Sequence, residues 1–314
     1  MRYQRALGTN RLPPSRRRSL RRNLLTILLS INAFNLYGHD TAAELGRYAQ
    51  IEELIRSIDA DVVAVQEIIA DGADTAAKHP IAVAGLRRLA TAVDRRCDVD
   101  GQPAVAVGGI IHHTGLLWRD GIEPVPGSLH TLTREGAGMW HCAVSVILDL
   151  GGARLRVGSV QLSPFDMGWA ARDISQLLRV FNTGRVPGLL GGDFNCIAAD
   201  AAYDPDPYAG QPWHPDHVYQ LTDTGEVDRR PAHRLEAERL GRMRDCARLT
   251  GAPWTATTGH HPGDNHPPRR IDRWYATHDV SDAAIIELTV ADAVTVGNTT
   301  DHLPVMVHAD ESTL

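Results

Sequence analysis

Short apolar runs alternate with amphipathic stretches along the first part of the chain. Residues 24–32 form an apolar run that ends in polar residues, which predicts a buried strand. Apolar residues then recur at helical spacing over residues 45–58, behind a T-x-x-E capping box at residues 41–44. Residues 62–65 are continuously apolar, as in a strand covered on both faces, and they lead into Glu67. A strand, a helix and a strand in this order predict an α/β layer.

The same two patterns continue to the end of the chain. Further helices are predicted over residues 80–94, 172–181 and 234–249, and further strands over residues 143–150, 153–162, 189–191, 271–276 and 305–308. Residues 198–231 are rich in Pro, Asp and aromatic residues and predict a long irregular insertion. Structureless segments longer than about 12–15 residues are uncommon unless they border a site or are disordered, so this insertion is a functional hint.

Composition and charge divide the chain into an arm and a body. Hydrophobic residues make up 43% and charged residues 22%, as in a folded protein, and no apolar run is long enough for integral membrane association. Residues 1–23 contain eight arginines and no acid, which favours a disordered basic arm and leaves polyanion contact as the alternative. Residues 24–314, predicted to form a single domain, carry 24 bases against 38 acids, a balance of −14 that disfavours polyanions.

The cysteines and the N-terminal segment bear on the cellular compartment. The four cysteines lie far apart and form no C-x-x-C pair, so neither a thiolate zinc site nor a disulfide framework is expected. Residues 15–30 superficially resemble an Arg-rich export leader, but the apolar part is short and no clean cleavage site follows it. We therefore predict a cytoplasmic location.

Polar residues at the ends of apolar runs are the candidates for chemistry. The chain has no G-x-S-x-G elbow, no phosphate-binding G-x-x-x-x-G-K-[ST] loop and no G-x-G-x-x-G dinucleotide turn. The strand-end candidates are Asn32, Glu67, Asp193, Asn195, Asp272, Asp301 and His302. Grouped carboxylates repel one another unless a cation or a proton neutralises them, and carboxylate and amide oxygens suit Mg²⁺.

Five ordered motifs carry a family resemblance. The segments LLSINAFNL, ADVVAVQEI, LLGGDFN, RRIDRWYAT and TTDHLPVMV begin at residues 28, 60, 189, 269 and 299. In order and spacing this pattern, over about residues 24–309, resembles the endonuclease/exonuclease/phosphatase superfamily. The resemblance implies an α/β fold in four layers, in which two mixed β-sheets pack face to face with helices on both outer faces.

The resemblance also implies a metal site. Glu67 resembles the principal metal-binding glutamate of the family, and Asn32 resembles the asparagine beside the metal and the phosphate. Asp301 resembles a carboxylate that lies near the metal or supports the histidine next to it. The implied cofactor is Mg²⁺ or Mn²⁺.

Catalytic roles follow in the same way from matching positions. Asp193 resembles the aspartate that orients or deprotonates the attacking water, and Asn195 resembles the amide that holds the water or a phosphate oxygen. His302 resembles the histidine that contacts the scissile phosphate, with Asp272 as its orienting partner.

One position departs from the family pattern. Gln161 stands where the family usually has a histidine before a Leu-Ser-Pro sequence. A glutamine amide can donate to a phosphate oxygen, but it carries neither a proton to give nor a positive charge. Gln161 is therefore expected at the phosphate, either with reduced activity or as a specificity residue.

Two further groups of histidines have weaker support. The loop of residues 257–266 and the arginines after it suggest that His260, His266 and Arg270 contact the substrate, while a second metal site and an exposed polar loop are the alternatives. His112 and His113 precede a strand-like segment and are expected to be core or loop histidines.

Together these features predict a divalent-metal-dependent hydrolase of phosphoester bonds, acting as a phosphodiesterase, phosphatase or nuclease. The acidic body favours a small molecule or a lipid headgroup as substrate over nucleic acid. The alternative from another class is a binding or scaffold protein with weakened catalysis on the same fold, which Gln161 supports. The sequence indicates no protein partner.

Overall fold

The computed structural model describes residues 25–314, so the predicted basic arm of residues 1–23 lies outside the described residues. The strands are β1 (Leu25–Leu36), β2 (Val62–Ile69), β3 (Asp98–Val99), β4 (Gln102–Pro103), β5 (Val105–Ala106), β6 (His112–Trp118), β7 (Glu123–Pro124), β8 (His130–Leu132), β9 (Cys142–Asp149), β10 (Arg154–Gln161), β11 (Gly188–Asp193), β12 (Arg244–Asp245), β13 (Asp272–Ala276), β14 (Ile285–Val290) and β15 (Val305–Asp310). The helices are α1 (Ala42–Ile58), α2 (Thr75–Ala92), α3 (Arg134–Ala137), α4 (Met167–Phe181), α5 (Arg230–Glu236), α6 (Cys246–Thr250) and α7 (Ala293–Val296), with 3₁₀ turns at Pro215–Gln220 and Asp282–Ala284.

Two mixed sheets form the centre of the molecule. The first has the strand order β14-β15-β1-β2-β6-β5, and the second has the order β12-β13-β11-β10-β9-β7, with β8 also paired to β9. In each sheet one central pair is parallel, β1 with β2 and β10 with β11, and the other pairs are antiparallel. Parallel neighbours end at the same edge of a sheet, so each pair delivers two strand ends to one place.

Apolar side chains fill three spaces, which define four layers. Residues such as Leu28, Val157 and Leu189 are fully buried in a core between the two sheets. A second core packs α1 and α2 against the first sheet, and a third packs α4 and α5 against the second sheet. The fold is therefore the predicted α/β sandwich, with two face-to-face sheets and helices outside. Across residues 25–314, no helix is both long and apolar enough to cross a membrane.

Capping residues set where the first two helices begin. Thr41 caps α1 by accepting a hydrogen bond from the Glu44 N–H at 3.3 Å, but the Glu44 carboxylate pairs with Arg47 at 2.6 Å, so only half of the predicted capping box forms. Helix α2 begins at Thr75 rather than near residue 80, because Asp74 caps it through the Ala77 N–H at 2.8 Å.

The predicted helix over residues 234–249 is wrong. The chain there turns back after α5, forms the short strand β12 and starts α6. A Cβ at Gly241 would lie 2.1 Å from the Leu235 carbonyl oxygen, and Arg242 has φ +52°, so the backbone folds too tightly for a continuous helix. Asp245 then caps α6 through the Ala247 N–H at 3.0 Å. The edge strand β14 was not predicted, since its exposure pattern does not alternate.

Candidate active site

A cavity of about 350 Å³ opens where the strand ends of both sheets meet two long loops. The lining residues come from strand ends, from the insertion before α5 and from the loop before β13: Phe34, Pro164, Phe165, Asn195, Asp216, Tyr219, Gln220, His261, Gly263, Asp264, Asn265, His266, Arg269, Asp301 and His302. A cavity of this size is typical of small-molecule sites.

Glu67 lies in a bulge of β2 with φ +64°, a backbone conformation that is uncommon for a non-glycine residue. Its carboxylate accepts hydrogen bonds from Asn35 N and Gln161 Nε2, both at 3.0 Å, and from Asn32 Nδ2 at 3.3 Å. Burial raises the pKa of this carboxyl group, but His112, His302 and the amide donors lower it more, so the net pKa is below its usual value. The site therefore favours a charged carboxylate at Glu67.

Gln161 points its amide at Glu67 and is not among the residues that line the cavity. Its Oε1 is buried and has no hydrogen-bond partner within the described residues. The expected contact of Gln161 with a phosphate is thus replaced, in this structure, by a contact with a candidate metal ligand.

Asp193 ends β11 beside Asn195, which has φ +47°. Its carboxylate accepts from Asn195 N and from Asn195 Nδ2, each at 2.9 Å, and Asn32 Nδ2 lies 3.4 Å away. Burial and the neighbouring Asp272 raise the pKa of Asp193 to about 7, while His302 opposes the rise. Asp193 is therefore held between two amides at the junction of the two sheets.

His302 and Asp272 form a pair in which Asp272 is buried and His302 is partly exposed. The Nδ1 atom of His302 lies 2.8 Å from Asp272 Oδ2, and the Thr257 hydroxyl donates to the same carboxylate at 2.7 Å. Burial lowers the pKa of His302, but Asp272 and Asp301 raise it more, so the net pKa is well above its usual value. Because Nδ1 faces Asp272, the Nε2 atom remains for a ligand in the cavity.

The residues fit a divalent metal ion. Among residues 25–314, possible ligand atoms of Asp193, Asp272 and His302 lie within 4.8 Å of one another. Asp301 borders the same cavity, burial raises the pKa of its carboxyl group, and its Oδ1 atom has no hydrogen-bond partner within the described chain. Oxygen-rich donors and an orphaned carboxylate oxygen suit a hard cation such as Mg²⁺ or Mn²⁺.

The residues predicted to contact substrate occupy different surroundings. His266 borders the cavity, while His260 Nε2 lies 3.0 Å from the Thr300 carbonyl oxygen and outside the cavity lining. Arg270 is 3% exposed, forms an ion pair with Asp245 and does not border the cavity. Its contacts therefore stabilise the fold and do not reach the substrate site. Its neighbour Arg269 is the arginine in the cavity wall.

Sequence reasoning did not place two residues of the site, His112 and Thr257. His112 Nε2 lies 3.0 Å from Asn35 Oδ1 and 4.0 Å from Glu67 Oε2, so it belongs to the site rather than to a core or a loop. Thr257 holds Asp272 from a loop. The NAFN sequence of residues 32–35 could have indicated a tight turn, but no sequence signal connects Thr257 or His112 to the strand ends.

The chain belongs to the endonuclease/exonuclease/phosphatase family, whose model matches residues 33–302. Members of this family are generally hydrolases that act on phosphoesters and depend on divalent metals. The match includes every strand-end residue of the site except Asn32. No curated protein matches the chain.

Solved structures of low sequence identity share the fold. The truncated TDP2 of Caenorhabditis elegans is 11% identical with a TM-score of 0.53, and the alignment covers 91% of this chain and 97% of that one. An endonuclease/exonuclease/phosphatase from Beutenbergia cavernae is 20% identical with a TM-score of 0.55, covering 91% and 71%. A functionally unknown protein from Enterococcus faecalis is 13% identical with a TM-score of 0.58, covering 91% and 100%.

Proposed function

We propose that the protein is a divalent-metal-dependent hydrolase that cleaves a P–O bond of a phosphoester by attack of water. The observation that carries the proposal is the convergence of Glu67, Asp193, Asp272 and His302 at one end of both sheets. Phosphoryl transfer needs charge neutralisation and positioning, which such a group of residues provides together with a metal ion.

Each side chain of the site has a distinct task in this proposal. Glu67, Asn32 and Asp301 would hold Mg²⁺ or Mn²⁺ rather than the nearby group of Asp193, Asp272 and His302, because Asp272 and His302 are already bonded to each other. The ion would supply positive charge to the phosphate and acidify a bound water. Asp193 orients the attacking water and takes its proton, and Asn195 holds the water or a phosphate oxygen. His302, kept in one orientation by Asp272, faces the phosphate through Nε2 and stabilises its negative charge.

The substrate in this proposal is a small molecule or a lipid headgroup rather than nucleic acid. The cavity of about 350 Å³ suits a compact ligand. The balance of −14 over residues 24–314 repels polyanions on average. The alternative of a catalytically weakened scaffold protein has only Gln161 in its favour, against a nearly complete set of family residues.

The proposal also includes the cellular location of the protein. The four cysteines are free and buried, as is typical of proteins in a reducing cytoplasm. We therefore keep a cytoplasmic location as part of it.

Hydrolysis assays with and without metal test the proposed activity. Phosphodiesters and phosphomonoesters of small alcohols, a phospholipid, single-stranded DNA and RNA are incubated with the purified protein in Mg²⁺, in Mn²⁺ and in EDTA. We expect metal-dependent turnover that EDTA abolishes, with the small substrates turned over fastest. Absence of turnover on every substrate, or equal rates in EDTA, would favour the scaffold alternative.

A further inference from the structure

A buried arginine borders the cavity beside the catalytic histidine. Arg269 is 6% exposed and shares the cavity wall with Asp301 and His302. Its position is fixed through its backbone, because its carbonyl oxygen accepts from Thr257 N at 2.7 Å and from Thr258 N at 3.0 Å. Since Thr257 also binds Asp272, the backbone of Arg269 is held in a set relation to the His302–Asp272 pair.

Most donors of this guanidinium have no partner. An arginine offers five N–H donors, and the hydrogen bond made by Arg269 goes from NH1 to the Tyr208 hydroxyl at 3.4 Å. Its Nε is buried and unpartnered within residues 25–314. The nearest carboxylate, Asp264, is 3.9 Å away, and its two oxygens already accept from the N–H groups of His266 and Gly259.

The adjacent arginine provides an internal comparison. Arg270 is 3% exposed, and it pairs with Asp245 and lies 3.8 Å from Asp204. Buried charges are normally compensated in this way, because an uncompensated one costs several kcal/mol or more. Arg270 therefore donates directly to a carboxylate within the fold, whereas Arg269 donates to none and its carboxylate neighbour Asp264 is 3.9 Å away. The Nε atoms of both arginines lack a partner among the described residues.

Aromatic and histidine rings of the insertion before α5 pack beside Arg269. The rings of Tyr208 and His217 lie 5.0 Å apart, and those of His217 and His266 lie 5.3 Å apart. Burial lowers the pKa of His266 to about 4, so His266 is neutral at pH 7. Arg269 thus lies in a wall that also carries the carboxylates of Asp216 and Asp264.

We propose that Arg269 binds a second anionic group of the substrate, and that the preferred substrates are compact phosphoesters carrying a further phosphate or carboxylate. This inference rests on the proposed function, because it assumes that the scissile phosphate lies at His302. A planar guanidinium binds either oxyanion through paired N–H donors, and it does so most strongly where water is excluded. Both phosphate and carboxylate satisfy this chemistry, so the experiment separates them.

A matched series of 4-nitrophenyl phosphodiesters tests the inference by catalysis. The second substituent is a short alkyl chain that ends in a hydroxyl, a carboxylate or a phosphate. We expect the wild type to have at least tenfold higher kcat/KM on one or both anionic compounds than on the hydroxyl compound. Arg269→Gln should remove that preference through KM, with a much smaller effect on the hydroxyl compound than on the anionic compounds, and Arg269→Lys should restore part of it. Equal rates on all three compounds in the wild type, or an equal loss on all three in Arg269→Gln, would overturn the inference without touching the proposed hydrolase activity.

A binding measurement separates this inference from the proposed activity. Calorimetric titration compares propane-1,3-diyl bisphosphate with propyl phosphate in the wild type, Arg269→Gln and the control Arg172→Gln, whose arginine is exposed on α4. We expect the bisphosphate to bind at least tenfold more tightly to the wild type and to the control, and Arg269→Gln to lose that advantage with an unchanged melting temperature. Equal affinities for both compounds in the wild type would overturn the inference, whether or not the protein hydrolyses phosphoesters.

Discussion

Two regions meet at the cavity, and they are built differently. The strand-end group consists of Asn32, Glu67, Asp193 and Asp272 with His302, and its polar atoms are largely bonded to one another. The loop wall consists of residues 208–220 and 259–269, and it leaves Arg269 Nε unpartnered and Tyr219 44% exposed. Mutual hydrogen bonds preorganise the first region for a reaction common to many substrates. Unused donors and exposed rings fit the second region for selecting among them.

Removing the charge of Glu67 is the change expected to affect every substrate most. Glu67→Gln keeps the size of the side chain but removes the negative charge that faces the cation. We expect kcat/KM to fall roughly a thousandfold, or ~4 kcal/mol of barrier, on all phosphoesters alike. Titration of Mg²⁺ by calorimetry should show weakened binding, while Glu53→Gln on the exposed side of α1 should behave as wild type. An unchanged Mg²⁺ affinity in Glu67→Gln would remove Glu67 from the metal site.

Asp272→Asn probes how the histidine is oriented. The amide cannot supply the charge that holds His302 through Nδ1, so kcat should fall about a hundredfold while KM changes little. Steady-state kinetics on a small diester measure this, with Thr257→Ser as a control that retains the hydroxyl hydrogen bond to Asp272. An unchanged kcat would show that the pair has no part in catalysis.

Gln161 offers a weaker test of the strand-end group. Gln161→Ala removes a 3.0 Å hydrogen bond to Glu67, and we expect about a tenfold loss of kcat/KM, or ~1.4 kcal/mol. Gln161→His can keep a donor toward Glu67 and should retain activity. If the alanine variant is as active as wild type, the Gln161 contact does not matter for positioning Glu67.

The loop wall should respond through binding alone. Tyr219→Ala removes an exposed ring that packs edge-to-face on Phe165, 5.7 Å away, at the cavity. We expect KM for diesters with an aromatic substituent to rise about threefold, or ~0.7 kcal/mol, with kcat unchanged. Trp213→Ala, at a ring that is 79% exposed and outside the cavity lining, should change neither constant. A lower kcat in Tyr219→Ala would break the division of tasks between the two regions.

His113, a buried histidine outside both regions, should make the stability of the fold depend on pH. His113 accepts from Gly108 N at 2.9 Å through Nδ1, and its Nε2 lies 2.9 Å from the Ala70 carbonyl oxygen, so it is held neutral. Burial lowers the pKa of His113 to about 4 from 6.5. As the pH falls, His113 therefore takes up a proton in the unfolded chain before it does so in the folded chain. Its contribution to the free energy of unfolding is complete above about pH 6.5 and is lost as the pH falls toward 4. The melting temperature should decline over this range, and His113→Asn should flatten the decline. An identical slope in both proteins would contradict the assignment.

Regular strands explain why much of the strand-end group was predictable. The apolar runs before Asn32, Glu67 and Asp193 identify β1, β2 and β11, and parallel pairing brings such ends together without further information. The positions of Asn35 and Glu67 also depend on positive φ values, which an apolar pattern does not reveal. The bond of Gln161 to Glu67 depends on how the two sheets pack, so its direction was not predictable from its own strand.

The loop wall was much less predictable, for a physical reason. Its residues are placed by contacts between the insertion and the loop before β13, such as Asn265 Nδ2 with Asp216 Oδ2 at 3.1 Å. These contacts join segments about fifty residues apart and follow no periodic pattern. Arg270 pairs with Asp245 and lies near Asp204, while Arg269 lines the cavity, and these distant acids are not visible as partners in the sequence.

The position of a bound metal ion tests the central claim most directly. Crystals grown or soaked with Mn²⁺ and inorganic phosphate are measured at a wavelength where manganese scatters anomalously. We predict an anomalous peak within ~2.3 Å of a Glu67 carboxylate oxygen, with phosphate between it and His302 Nε2. The peak should vanish in Glu67→Gln. A peak that is not bonded to Glu67, or phosphate bound away from His302, would contradict the account.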